Sequence, residues 1–202
     1  MARKPLLCFA LLATLAATTA NAEGFKATIG YENANPKSST GTFGGASSDV
    51  NDKWGATGSL AYNFDDNWSA EVWTGLTPFK HDVDVTGAGT VASFKQRPTA
   101  LTANYHFLPK GKFNPYVGIG YDWVSVSGEK ATGALAGNQI KMGNGSGLTY
   151  TVGADVAIND SFFVRGSVRK LNASSDVAVN GIAAGKANLD PLVYGVSAGF
   201  NF

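Results

Sequence analysis

The chain of 202 residues carries 16 Lys and Arg against 15 Asp and Glu, a formal charge of +1, so it has no basic surplus with which to hold nucleic acid. Its one cysteine excludes a disulfide framework and a thiolate metal site. With 25 glycines, 11% aromatic and only 15% charged residues, the composition favours a Gly- and aromatic-rich β protein.

At the start of the chain, Arg3 and Lys4 precede an apolar run from Pro5 to Ala17, and Ala20-Asn21-Ala22 has the small-x-small pattern of a cleavage site. Met1 to Ala22 therefore reads as a secretory signal peptide, with Cys8 inside its apolar core. The run is too short for a spanning helix, which needs about 20 apolar residues. Cleavage takes the basic count from 16 to 14 against 15 acids and leaves residues 23–202 as a single domain.

Eight segments of period-2 alternation follow. They run from Phe25 to Asn33, Trp54 to Phe64, Trp68 to Pro78, Phe94 to Phe107, Phe113 to Val126, Leu148 to Ile158, Phe162 to Leu171 and Leu192 to Phe202. Most are near the 9 to 11 residues of a tilted membrane strand. In the second, Trp54, Gly58, Leu60, Tyr62 and Phe64 share one face, with Gly55, Thr57, Ser59, Ala61 and Asn63 on the other. The connections alternate too. Those at Asp65-Asp66-Asn67, Leu108 to Lys112 and Asn159-Asp160-Ser161 are short; those at Ala34 to Lys53, Phe79 to Ser93, Ser127 to Gly147 and Asn172 to Asp190 are long. Such a pattern predicts an eight-stranded antiparallel up-and-down β-barrel with both termini on the short-turn, periplasmic side.

Alternation alone does not separate a membrane barrel from a soluble one with an oily core. Aromatic placement does. Phe25, Phe64, Trp68, Phe107, Phe113, Phe162 and Phe202 lie at the periplasmic ends of the apolar faces, and Tyr31, Trp54, Phe94, Trp123, Tyr150 and Tyr194 lie towards the other ends. Two such girdles mark a barrel whose oily face meets lipid.

The stretches "TPFKHDV" (Thr77 to Val83), "RPTALTANYHF" (Arg97 to Phe107), "KFNPYVGIGYDW" (Lys112 to Trp123) and "DPLVYGVSAGFNF" (Asp190 to Phe202) resemble the OmpW family of bacterial outer-membrane proteins. The first strand and the segment from Ala34 to Lys53 show little of that pattern. The resemblance implies an integral outer-membrane barrel in contact with lipid and lipopolysaccharide, and passive uptake of small hydrophobic molecules. It also implies that the closing residues, with Tyr194, Phe200 and Phe202 in phase, act as the signal read by the barrel-assembly machinery.

An eight-stranded barrel has an interior only just wide enough for side chains to fill, so a wide aqueous pore is excluded on size. The inward positions sort by height. Trp73, Val124, Val126, Leu171 and Val193 form an apolar upper lumen, the expected substrate path; Glu71, Asp122, Asp155, Arg165 and Arg169, with Asn104 and His106, form a charged lower lumen, expected to be a salt-bridged plug. Pro78 and Pro98 fall near the outer ends of neighbouring strands and each removes a backbone donor, so they are expected either to leave a lateral gap in the wall or to end their strands. His81 and His106, the two histidines, fall at opposite ends of the barrel, and no cluster has metal-ligand spacing. An acyl-hydrolase triad of His81 with Asp82 or Asp84 and a loop serine is the weaker reading of His81, and no cofactor or catalytic residue is expected. Two function classes follow: a channel for hydrophobic solutes, or a closed barrel that acts through its extracellular loops.

Overall fold

The computed structural model describes residues 24–36, 42–43, 46–188 and 190–202; the expected signal peptide lies outside the described residues. Eight strands form the wall: β1 (Phe25–Asn35), β2 (Lys53–Asn63), β3 (Trp68–Gly75), β4 (Gly89–His106), β5 (Phe113–Ala131), β6 (Gly145–Ala157), β7 (Phe162–Leu171) and β8 (Leu192–Asn201). Each pairs antiparallel with the next, and β8 closes on β1 from Lys26↔Asn201 to Asn35↔Leu192. The Phe202 amide, donating 2.9 Å to the Phe25 carbonyl, finishes the seam. Closure gives each of the eight wall strands a partner on both sides, which a lipid-exposed sheet requires because lipid offers backbone groups no partner.

Two short turns are built by the same local device. Asp65 Oδ1 accepts from the amides of Asn67 and Trp68 at 2.8 and 2.7 Å, and Asn159 Oδ1 accepts from Ser161 and Phe162 at 3.0 and 2.8 Å. In both, a short acceptor side chain at the first turn residue satisfies amides that would otherwise be left free as the chain reverses.

The outward wall is oily. Ile29 (64% exposed), Val196 (62%) and Val152 (60%) stand open while Thr57, Thr102 and Thr149 are buried at 0–1%, the reverse of a soluble protein. At the periplasmic rim, aromatic rings form contacts from Phe25 to Tyr62 (4.9 Å), Trp68 to Tyr105 (5.1 Å) and Phe162 to Phe200 (5.0 Å). At the outer rim Tyr31 stacks on Trp54 (5.4 Å) and Tyr121 meets Trp123 (5.2 Å). Phe94 is not part of that outer girdle: its side chain is inward and 2% exposed. Counting by twos from the outward Phe107 puts even-numbered residues of β4 inside, and Phe94 obeys that parity.

The long connections are less loop-like than expected. β4 and β5, at 18 and 19 residues, outrun the membrane. Phe79–Val85 extends the line of β3 and pairs with the upper half of β4, Ser174–Val179 pairs with Ile182–Asn188, and Ile140–Met142 lies beside the first of these two. These arms form an extracellular crown. The turn between Val85 and Gly89 needs positive φ at Gly87 (83°) and Gly89 (67°), which glycine adopts at little cost. Alternation of Val83, Val85 and Val91 around "TGAGT" is the hairpin signal in the sequence.

Candidate functional site

The lumen is layered. From periplasm to outside come a polar floor, an ionic layer and stacked apolar layers, each set by which inward position of each strand reaches that height.

On the floor, His106 at the end of β4 is within 3.1 Å of Ser69 Oγ through Nε2 and within 3.2 Å of Asn114 Nδ2 through Nδ1, and its ring lies 5.3 Å from that of Tyr116. All four side chains are at most 5% exposed, so they join β3, β4 and β5 and offer no open face to a substrate. Gly153 makes room for Tyr116: a Cβ there would stand 2.6 Å from the phenol oxygen. Asn104, also buried and inward, belongs to this polar region without a side-chain partner.

Above the floor, Arg165 holds Asp155, its direct partner in the β6–β7 ladder, through Nε at 2.7 Å and Nη2 at 3.0 Å, and reaches Glu71 through Nη1. Arg169 Nη2 donates to the second Glu71 oxygen at 2.8 Å. Lys26 Nζ adds a longer contact to Asp155 at 3.8 Å. Both carboxylate and both guanidinium side chains are at most 7% exposed, and β3 and β7 stand opposite each other in the eight-strand ring, so the network spans the lumen. Asp122 does not join it. This residue lies beside Ala100 in the ladder, level with the apolar layer, and takes only a 3.4 Å bond from the Asn172 amide.

The first apolar layer contains Trp73, Leu171 and Val193 together with Ala34, Phe79 and Ala100. Arg169 lies 4.8 Å from the Trp73 ring and beside Val193 in register, so the ionic layer is the floor of this apolar one. Val124 belongs to a second cluster with Val50, Phe94 and Ala173, against which Val126 and Met142 pack. A third, of Val85, Val91 and Ala92, continues into the crown. The five residues read from the sequence as one path therefore divide between two layers. Phe79 and Phe94, both absent from that reading, fill the space between strands.

The wall is irregular between β3 and β4. The β3–β4 ladder ends at Thr74↔Thr99 and resumes at Phe79↔Gln96, so residues 75–78 stand against 97–98. Pro98 has no amide hydrogen, and its carbonyl is taken by the Thr74 hydroxyl at 3.1 Å. Since a strand residue directs its N–H and C=O to the same neighbour, the missing donor is on the β3 side. Leu76 and Thr77 instead donate to the Ala56 carbonyl of β2 at 2.9 and 3.3 Å, which draws the chain away from β4. Directly inside the break, the Phe79 ring is 1% exposed and lies over Gly55 and Gly75; a Cβ on Gly55 would be 2.8 Å from its Cε1. β4 runs unbroken through Pro98, and the Phe79–Val85 arm begins just after Pro78.

His81 is in the crown, its ring tilted against that of Phe94 at 5.4 Å, and donates Nδ1–H to the Asn51 carbonyl at 2.8 Å. Burial pushes its pKa below the ordinary histidine value. Asp82 turns to Lys53 (3.7 Å) and Asn51, and Asp84 takes a bond from Thr90 at 2.6 Å, so no carboxylate orients the imidazole. Among the described residues no group of three His, Cys, Asp or Glu side chains is placed to hold a metal ion.

At the terminal strand, Phe200 packs between Phe162 and Phe202 (5.0 and 4.9 Å) in the periplasmic girdle, and Tyr194 meets Trp54 (6.2 Å) in the outer one.

A closed antiparallel barrel with a lipid-facing apolar wall between two aromatic girdles and a charged lumen defines an integral outer-membrane β-barrel. The OmpW family profile matches residues 22–202, and the chain belongs to the OmpW family. It is 30% identical over 138 residues to outer membrane protein W of Vibrio cholerae, covering 62% of this chain and 64% of that protein. It is 30% identical over 133 residues to outer membrane protein W of Escherichia coli, covering 62% and 63%. The aligned stretch thus spans somewhat under two thirds of these relatives. The crystal structure of OprG from Pseudomonas aeruginosa superposes with a TM-score of 0.77 at 24% identity, covering 90% of this chain and 96% of OprG. The solution structure of the Escherichia coli protein gives 0.62 at 26% identity, covering 91% and 100%.

Proposed function

We propose that this protein is a passive conduit for small hydrophobic molecules, which enter from outside, settle among the apolar layers and leave sideways into the membrane. The single observation that carries this reading is the coincidence of three features at one height: the broken β3–β4 ladder, the Phe79 ring behind it, and an ionic floor beneath. An apolar solute gains nothing from entering the Glu71–Arg165–Asp155–Arg169 layer, since it would have to displace paired buried charges. The lipid beside the break is its lowest-energy exit. In this reading Trp73, Val124, Val126, Leu171 and Val193 line the path, Pro78 and Pro98 maintain the gap, and Phe79 is the door.

The test compares entry of a small aromatic hydrocarbon and of a small polar solute into cells lacking the protein and cells complemented with it. Faster entry of the hydrocarbon alone is the expected result. A cysteine pair locked across the break should stop that entry when oxidised and restore it on reduction. Equal entry of both solutes with and without the protein would assign function to the crown instead, whose ordered hairpins make it a surface for recognition.

A further inference from the structure

On the outward face, four cations gather beside the upper half of β4. Lys80 and Lys95 are direct cross-strand partners, and Arg97 is the next outward residue of β4, opposite Ser125. On the neighbouring strand, Lys130 is opposite Ser93. All four are exposed, and no carboxylate among the described residues lies within 4.0 Å of any of them. Two other cations near the outer rim are engaged: Lys53 with Asp82, and Lys170 with the Asp190 carbonyl.

Their height is set by the ladder. Trp123 of the outer girdle pairs with Thr99; Arg97 is two residues further out and Lys95 four. At a strand rise of about 3.3 Å and a tilt near 40°, these positions stand roughly 5 and 10 Å above the girdle, in the headgroup layer of the outer leaflet. Two lysines facing each other across a ladder repel, and the arrangement becomes favourable when an anion lies between them. The anion a membrane surface presents at that height is a lipid phosphate.

We propose that Lys80, Lys95, Arg97 and Lys130 form a docking site for the phosphorylated sugar headgroup of an outer-leaflet glycolipid of the lipid A type. Arg97 offers a planar fork for one phosphate, and the Lys80/Lys95 pair offers two point charges for another. The site does not rest on the transport reading. It does lie directly over the break at Pro78 and Pro98, so the acyl chains of a docked glycolipid would cover the outside of that break.

The full mature chain, folded in detergent with EDTA present to remove bridging divalent cations, would be titrated with diphosphorylated lipid A and with its dephosphorylated form, bound lipid being counted by native mass spectrometry. Preference for the phosphorylated lipid is expected in the parent. It should fall by about a hundredfold in the triple variant Lys80→Gln, Lys95→Gln, Arg97→Gln, and stay in a control with Lys110→Gln and Lys112→Gln at the periplasmic turn. Equal preference in parent and triple variant would overturn the proposal. Should the triple variant fail to fold by heat-modified gel mobility, Lys80→Glu serves alone: it places opposite charges across the ladder, which favours folding, yet should still weaken phosphate-dependent binding. Undiminished binding by that variant would be equally fatal.

Discussion

Arg165 of β7 is bound to Glu71 of β3, the strand on the far side of the barrel, while its other nitrogens hold Asp155 beside it. One guanidinium thereby ties together opposite walls. Both of its carboxylates are buried, so desolvation has already been incurred and the pairing has to offset it.

Removing one member should therefore cost more than the pair contributes. Glu71→Ala leaves Arg169 without its carboxylate and Arg165 with Asp155 alone in a confined lumen, and should lower stability by about 3–5 kcal/mol. Glu71→Gln, which keeps an acceptor, should lose less. Equilibrium unfolding in urea from lipid vesicles measures both. A Glu71→Ala barrel as stable as the parent would show that water, not Glu71, satisfies the two arginines.

Phe79 gives a test of the exit that does not depend on the ionic layer. Phe79→Ala removes a ring that is 1% exposed and should cost up to about 3–5 kcal/mol, while hydrocarbon uptake into protein-containing vesicles rises. Gly55→Val approaches the same ring from β2, where even a Cβ would come within 2.8 Å of it, and should alter uptake without touching the seam. Uptake indifferent to both changes would exclude the Phe79 route.

The barrel was legible because period-2 alternation and girdle aromatics are local signals. Phe162 to Leu171 matches β7 end to end, and the paired short turns follow from Asp65 and Asn159. What was not legible depended on neighbours in space. Asp122 and Glu71 are alike in the sequence as inward carboxylates, yet only the barrel stagger places Glu71 between two arginines and leaves Asp122 beside Ala100. Phe94 reads as a girdle residue by its height, yet its ring is inside, packed with Val50, Val124 and Ala173. The place of Phe79 behind the break was invisible because Phe79 begins an arm that alternation assigned to a loop.

His81 should make the crown sensitive to acid. Its pKa is depressed by burial in the folded state, so the unfolded arm binds a proton more readily; the stability it contributes is complete above the ordinary value near 6.5 and is lost as pH falls towards the folded value. Amides tied to this arm, such as that of Asp82, which bonds Asn51 Oδ1 at 2.9 Å, should lose hydrogen-exchange protection by up to about tenfold per pH unit in that window. Flat protection in His81→Phe is expected; the same loss in that variant would place the acid response on another group.

Phe202 allows a test that separates assembly from stability. Its backbone amide closes the seam onto Phe25, whereas its ring, 47% exposed, lies at the girdle edge against Phe200. Phe202→Ala keeps the amide and gives up only a half-exposed ring, so refolding of the purified chain into detergent should be nearly unchanged. If the terminal aromatic is the feature that the assembly machinery reads, the same variant should accumulate poorly in the outer membrane of cells while a girdle control on another strand, such as Phe162→Leu, assembles better. A parallel loss in both settings would instead make Phe202 a packing residue and remove the ground for treating the end of this chain as a signal.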